Sequence, residues 1–275
     1  MKRILTAVAM AAILIPVLIW GDRYYIFDGF CLLASAGAAW ELRAMTGKTR
    51  PQPRWVDALA IVLAAGVFAA LRFGPATGGV SLYAAVLSLF LVGGFLLVFV
   101  EGFKSDDFGN FLSAAVYASV GFAAIALLRS ASIHWVIYVL LGAMLTDTAG
   151  YFFGTRFGRH RLCPTISPKK SIEGAIAGTV FGAAATIAYA FLVPFYPDGS
   201  HPVLIVLVSL ALPIVAQIGD LVASKLKRSH GIKDYSNLFP GHGGILDRFD
   251  STMFTAAFLV LALLIAFAWF APLTL

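Results

Sequence analysis

Residues 203–250 read VLIVLVSLALPIVAQIGDLVASKLKRSHGIKDYSNLFPGHGGILDRFD, and the change of character inside this stretch decides the fold. Residues 203–219 are almost wholly apolar. From Gln217 to Asp250 the chain then carries four Asp, five Lys or Arg, two His and a Gly-His-Gly-Gly turn. An apolar run of this length reads as a membrane span. Carboxylates and cations crowded at a membrane edge are costly to keep without a task. Metal ions and phosphates are the ligands that use both together.

The rest of the chain extends the first half of this pattern. It is 60% hydrophobic and 12% charged over 275 residues, with a mean hydropathy of +0.88. An ordinary soluble domain is excluded. A span needs roughly 20 apolar residues, and candidates fall at 4–20, 24–40, 55–71, 82–100, 108–128, 133–153, 171–195, 203–219 and 251–275. The expected fold class is all-α: a polytopic integral membrane protein with about nine transmembrane helices. The first span follows Lys2 and Arg3 as a signal peptide would, but Trp20-Gly21-Asp22 is a poor cleavage site, so it is expected to remain. Of the 20 Lys and Arg, all but Arg23, Arg72 and Arg129 fall in segments 1–3, 41–54, 101–107, 154–170 and 220–250. The positive-inside rule then places the N-terminus and these segments in the cytoplasm. The net charge of +6 is distributed among loops rather than gathered in a stripe, which argues for anionic lipid and against nucleic acid. We read one membrane domain, with 1–130 mainly structural helices and 131–275 the catalytic half.

The first half offers little chemistry. Asp28, Glu41 and Asp57 read as interfacial or helix-capping carboxylates. Glu101–Asp107 reads as a solvated turn in which Asp106 and Asp107 matter little. Cys31 and Cys163, one in a span and one in a loop, are not expected to form a disulfide.

The second half is different. Read as helix, Asp220, Ser224, Lys227 and Arg228 share one face; a salt-bridged interfacial helix would look the same. Lys233-Asp234 follows, then Phe239-Pro240-Gly241-His242-Gly243-Gly244, which breaks any helix and lets backbone N–H groups approach an anion. Asp247 and Asp250, with Arg248 between them, share a face at the start of the last helix. The helix dipole alone would favour them there. Asp220, Asp247 and Asp250 together are oxygen ligands of the type Mg²⁺ uses, completed by water and substrate phosphate. No Cys/His cluster suggests zinc. Earlier, Asp147 and Tyr151 stand a turn apart, followed by the basic loop Arg156, Arg159, His160, Arg161. In SPKKSIEG, residues 167–174, Ser167-Pro168 reads as a turn and helix start. Lys169 and Lys170 would then sit near a helix N-terminus, where a bound anion would explain them. Metal-holding carboxylates plus phosphate-holding cations are what phosphoryl or nucleotidyl transfer needs. A lipid substrate would explain the membrane.

These residues carry a resemblance. Ser224-Lys-Leu-Lys227-Arg228, Lys233-Asp234 and Phe239-Pro240-Gly-His242-Gly243-Gly244-Ile-Leu-Asp247-Arg248-Phe-Asp250 resemble, over 27 residues with spacing intact, the signature of phosphatidate cytidylyltransferases, or CDP-diacylglycerol synthases. SPKKSIEG and Asp147-Thr-Ala-Gly-Tyr151 are similar to two further family motifs. Gly150 stands where Ala is expected, and Ser171-Ile172 where Thr-Trp is frequent. The resemblance implies that CTP and phosphatidic acid give CDP-diacylglycerol and pyrophosphate with Mg²⁺, as one or two ions. The lipid phosphate would attack the α-phosphorus of CTP. It also implies metal ligation by Asp220 and Asp247 with Asp250 close by, and phosphate contacts from Lys227, Arg228, Lys233, Lys169 and Lys170. Ser224 and His242 would position nucleotide, with Gly243, Gly244, Arg248, Asp147 and Tyr151 completing the substrate site. The family is often dimeric, so a homodimer in a bacterial cytoplasmic membrane is expected, its site facing the cytoplasm. A CDP-alcohol phosphotransferase would want an Asp-Gly pair and D-x3-D, where this chain has D-x2-D. An ion-coupled transporter would want midplane charges and related halves.

Overall fold

The computed structural model describes all residues except Met1, Asp22, 197–200 and 271–275. The end of the last predicted span therefore lies outside the described residues, as do the side chains of Lys2, Arg3 and Arg23. Nine α-helices are found among the described residues: α1 Lys2–Trp20, α2 Ile26–Gly47, α3 Arg54–Phe73, α4 Val80–Phe99, α5 Ser105–Ala131, α6 Ile133–Phe157, α7 Ile172–Leu192, α8 Pro202–Ser229 and α9 Leu246–Phe270. Each coincides with one predicted apolar run. Seven, α3 to α9, are long and apolar enough to cross a membrane. The fold is a helical membrane protein, as expected.

Two local readings need correction. SPKKS is not a helix start. Ser167–Ser171 is a strand, β2, paired antiparallel with β1, Arg161–Cys163. The helix begins later because Ser171, not Ser167, is its N-cap: the Ser171 hydroxyl accepts the Gly174 N–H at 3.2 Å. Pro168 is tolerated because both strands of a two-stranded sheet are edges. Among the described residues the fold is thus all-α but for this hairpin. The Glu101–Asp107 turn is not simply solvated either. Asp107 is 3% exposed, and its Oδ2 accepts the Lys104 N–H at 2.9 Å, the back-bond of a capping box at the start of α5. Arg50 lies beside both carboxylates, 2.9 Å from Asp106 and 3.8 Å from Asp107.

The chain divides into two compact units. The first comprises Met1–Leu127 and Ser229–Arg248. Its apolar core joins α3, α4 and α5 through Val56, Ala60, Leu96, Phe103 and Phe111. Asp57 on α3 accepts the buried Arg43 of α2 at 2.8 Å, and Asp28 on α2 pairs with Arg72 on α3. These two carboxylates hold neighbouring helices together. The second unit comprises Leu128–Arg228 and Phe249–Leu275. Its α6 and α7 are in close contact because small residues line the seam. A Cβ at Gly174 would lie 2.6 Å from the Gly150 carbonyl oxygen, and one at Gly178 would lie 2.6 Å from that of Thr146. Small residues at such spacing let membrane helices approach closely. At the start of α6, Trp135, Tyr138, Phe195 and Tyr196 form an aromatic cluster.

Candidate active site

Most of the predicted chemistry in the second unit gathers around the α6–α7 seam. A cavity of about 420 Å³ opens there, lined by Asp147 and Tyr151 of α6, Arg161 of β1, Lys169 and Lys170 of β2, and Gln217 of α8. The glycine seam makes the helices close. The hairpin then brings the basic residues over the cavity. Along β2, Lys169 is exposed and Lys170 half-buried. Lys170 Nζ pairs with Asp220 Oδ2, so the SPKKS segment reaches the α8 carboxylate directly. Glu173 secures the hairpin base. It accepts the Arg159 N–H at 3.1 Å, and its Oε1 lies 2.6 Å from His160 Nδ1. Glu173 and Gln217 are not singled out as site residues in the sequence, and Arg161 is named there only as part of the basic loop. Gln217 donates to Thr179 Oγ1 at 2.9 Å and ties α8 to α7.

The α8 residues lie on one continuous helix, as read. Its close crossing with α9 is set by Gly219, where a Cβ would lie 2.7 Å from Phe254 Cβ and 3.0 Å from the Asp250 carbonyl oxygen. Asp220 therefore sits where α8 and α9 approach. Its charge acts on Asp147 and on Asp250, and those two act on each other. Lys170 offsets Asp147, while Lys227 offsets Asp250. Lys227 and Asp250 are both buried, each 8% exposed. Asp147 hydrogen-bonds Ser251, and Asp250 Oδ1 accepts the Ser251 N–H at 2.7 Å. Ser224 is half-buried and Arg228 exposed, so the four-residue face is not uniformly turned inward.

In the first unit, the Gly-rich turn is built around two carboxylates. Asp247 Oδ2 accepts the N–H groups of Tyr235 at 2.8 Å and Gly244 at 2.9 Å. Phe239 and Gly243 close the turn as an isolated bridge, with the Phe239 N–H donating to the Gly243 carbonyl at 2.9 Å. Gly243 has φ +80, and a Cβ there would lie 2.6 Å from Asp247 Oδ2. Glycine is thus required twice over at this position. The second carboxylate is Glu41 of α2, which is neither interfacial nor a cap of its own helix but reaches the turn. It accepts the Ser236 hydroxyl at 2.6 Å, the Ile245 N–H at 2.8 Å and the Leu246 N–H at 2.9 Å. His242 Nδ1 is buried in this turn without a hydrogen-bond partner among the described residues. Lys233 and Arg248 are exposed.

A cytidylyltransferase family profile matches residues 1–266. The chain belongs to the cytidylyltransferase family. It is 34% identical to the phosphatidate cytidylyltransferase of Staphylococcus haemolyticus, over 95% of this chain and 98% of that protein. It is 32% identical to that of Staphylococcus aureus and 31% to that of Staphylococcus epidermidis, again over 95% of this chain and 98% of theirs. Family membership therefore extends over the N-terminal helices as well as the signature motifs.

The metal that such a cytidylyltransferase site implies can be tested against the donors present. Among the described residues no group of three or more His, Cys, Asp and Glu forms a ready-made cage. Mg²⁺ rarely asks for one. It takes one or two carboxylates and fills its octahedron with water and phosphate oxygens. Asp220 and Asp250, brought near each other where α8 and α9 approach at Gly219, are carboxylates of that chemistry, while Asp247 Oδ2 is occupied by two backbone N–H groups within the first unit.

Proposed function

We propose that this protein is a phosphatidate cytidylyltransferase, converting CTP and phosphatidic acid to CDP-diacylglycerol and pyrophosphate. Family membership over nearly the whole chain carries the reading. The carboxylates and cations brought together in the second unit support it.

Asp220, Asp247 and Asp250 are the proposed Mg²⁺ ligands, with room in the reading for a second cation. A bound Mg²⁺ would neutralise phosphate charge and the departing pyrophosphate. Lys169, Lys170, Lys227, Arg228 and Lys233 are the proposed phosphate contacts. Their task is to offset charge and to hold the lipid phosphate in line with the α-phosphorus of CTP. The Lys170–Asp220 pair keeps both ions in place until substrate phosphate competes for the lysine. Ser224, His242, Gly243 and Gly244 are proposed to position nucleotide, with Asp147, Tyr151 and Arg248 completing the substrate surface. No covalent intermediate is needed.

We further propose that all nine helices cross a bacterial cytoplasmic membrane, with the N-terminus and the motif segments on the cytoplasmic side. At about 1.5 Å per residue, 19 to 22 residues reach about 30 Å, so α1 and α2 are long enough. A homodimer working as one membrane domain per chain is the proposed assembly. The test of the activity is purified protein in detergent with CTP, phosphatidic acid and Mg²⁺. A CTP-dependent liponucleotide is expected; no product across varied lipids and divalent metals would refute the assignment.

A further inference from the structure

Three carboxylates stand on the helices of the N-terminal half in places where the sequence suggested mere caps. Two are accounted for by arginine: Asp57 by Arg43 and Asp28 by Arg72. Glu41 is different. It is 0% exposed and pairs with no Lys or Arg among the described residues. A fully buried carboxylate is expensive unless its oxygens are satisfied. Those of Glu41 are satisfied entirely by the signature turn, from positions 195 to 205 residues away in the chain.

The geometry points to Glu41 as a positioning residue for the cytidylyltransferase reaction: it fixes the Gly-His-Gly-Gly turn and the first turn of α9 so that Asp247 and His242 are presented in one arrangement. The inference rests on the function proposed above. Oε1 takes the Ser236 hydroxyl and the Ile245 N–H, while Oε2 takes the Leu246 N–H. The last two donors are at the N-terminus of α9, where orphan N–H groups and the helix dipole favour an anion. The next donor back, the Gly244 N–H, goes to Asp247 itself. Three successive backbone N–H groups are thus shared between Glu41 and Asp247. Moving Glu41 would release the segment that Asp247 grips.

The surrounding residues fit this arrangement. A Cβ on Gly244 would collide with the Glu41 carboxylate, coming within 2.6 Å of its Cδ. Gly244 is therefore glycine to admit Glu41, not for its own backbone angles. Ile245 packs onto Gly37, one turn before Glu41 on α2. An amide at position 41 could not replace the carboxylate. It offers one acceptor oxygen and turns an NH₂ donor toward a backbone N–H.

The test is Glu41→Gln, with Ser236→Ala as the milder variant that removes one of the three hydrogen bonds. Three quantities are read on the purified full chain: kcat per folded enzyme, KM for CTP and for phosphatidic acid, and peptide-level hydrogen exchange. For Glu41→Gln the expected result is a fall in kcat of about 10- to 100-fold. Both KM values should stay within about threefold, and faster exchange should be confined to residues 235–250. Ser236→Ala should show the same pattern at about 3- to 10-fold. Glu41→Asp, which keeps the acceptors, should recover part of the kcat. Wild-type kcat in folded Glu41→Gln would overturn the inference. So would a loss that merely tracks the unfolded fraction, with exchange raised across all of α2 to α5. Should Glu41→Gln fail to fold, Ser236→Ala decides between the same outcomes. A wild-type protein that makes no liponucleotide refutes the function itself, and is told apart by needing no variant.

Discussion

At the scale of single residues, Asp220 and Asp247 are the carboxylates proposed to carry the chemistry, and they stand in different settings. Asp220 is held by a lysine from the hairpin, and Asp247 by two backbone N–H groups. Asp220→Asn and Asp247→Asn should each lower turnover by about 100-fold or more, as removal of a group that acts on developing charge does. The folded state should survive, as size-exclusion profile and helical content would report. Near-normal turnover in either variant would remove that residue from the proposed metal set. Asp107 gives the opposite pattern. Its bond to the Lys104 N–H caps α5, so Asp107→Ala should cost about 1 kcal/mol of stability with kcat per folded enzyme unchanged. The sequence did not disclose this, because EGFKSDD looks like any solvated turn until Arg50 and the start of α5 are placed beside it. Glu41 escaped for a related reason. A lone carboxylate at the end of an apolar run has a bland explanation, and its partners are too distant in sequence for spacing to reveal them. The 27-residue signature, by contrast, is contiguous, and its residue types and intervals were readable directly.

Helices were legible and the hairpin was not. Each apolar run of about 20 residues became a helix, because length and composition suffice to identify a helix whose backbone must be satisfied within lipid. Strands of three and five residues carry no periodicity to read. Ser167-Pro168 offers a plausible helix start that Ser171 pre-empts. The α6–α7 seam supplies an element-scale prediction. Gly178→Leu places bulk where a Cβ is already 2.6 Å from the Thr146 carbonyl oxygen, and should lower stability by about 1 to 3 kcal/mol. Gly150→Ala should be close to neutral, since its Cβ would lie 3.4 Å from the Gly174 carbonyl oxygen. Thermal unfolding in one detergent compares the two. Equal effects would mean that the seam is looser than its glycines imply.

For the whole molecule, charge distribution and hydropathy support the proposed orientation, and the two free cysteines offer a way to examine it. Cys31 is buried, and Cys163, the last residue of β1, is half-buried. A membrane-impermeant maleimide should label Cys163 in inside-out vesicles and not in intact spheroplasts. Labelling from outside would reverse the proposed topology. The central claim, cytidylyl transfer to a lipid phosphate, is tested most directly by the fate of the CTP phosphates. Purified protein is given phosphatidic acid, Mg²⁺ and CTP labelled either at the α- or at the γ-phosphorus. The account predicts that the α-label passes into the lipid fraction while the γ-label leaves as pyrophosphate, in equal amounts. A γ-label recovered in lipid, or no label from either position, would contradict it.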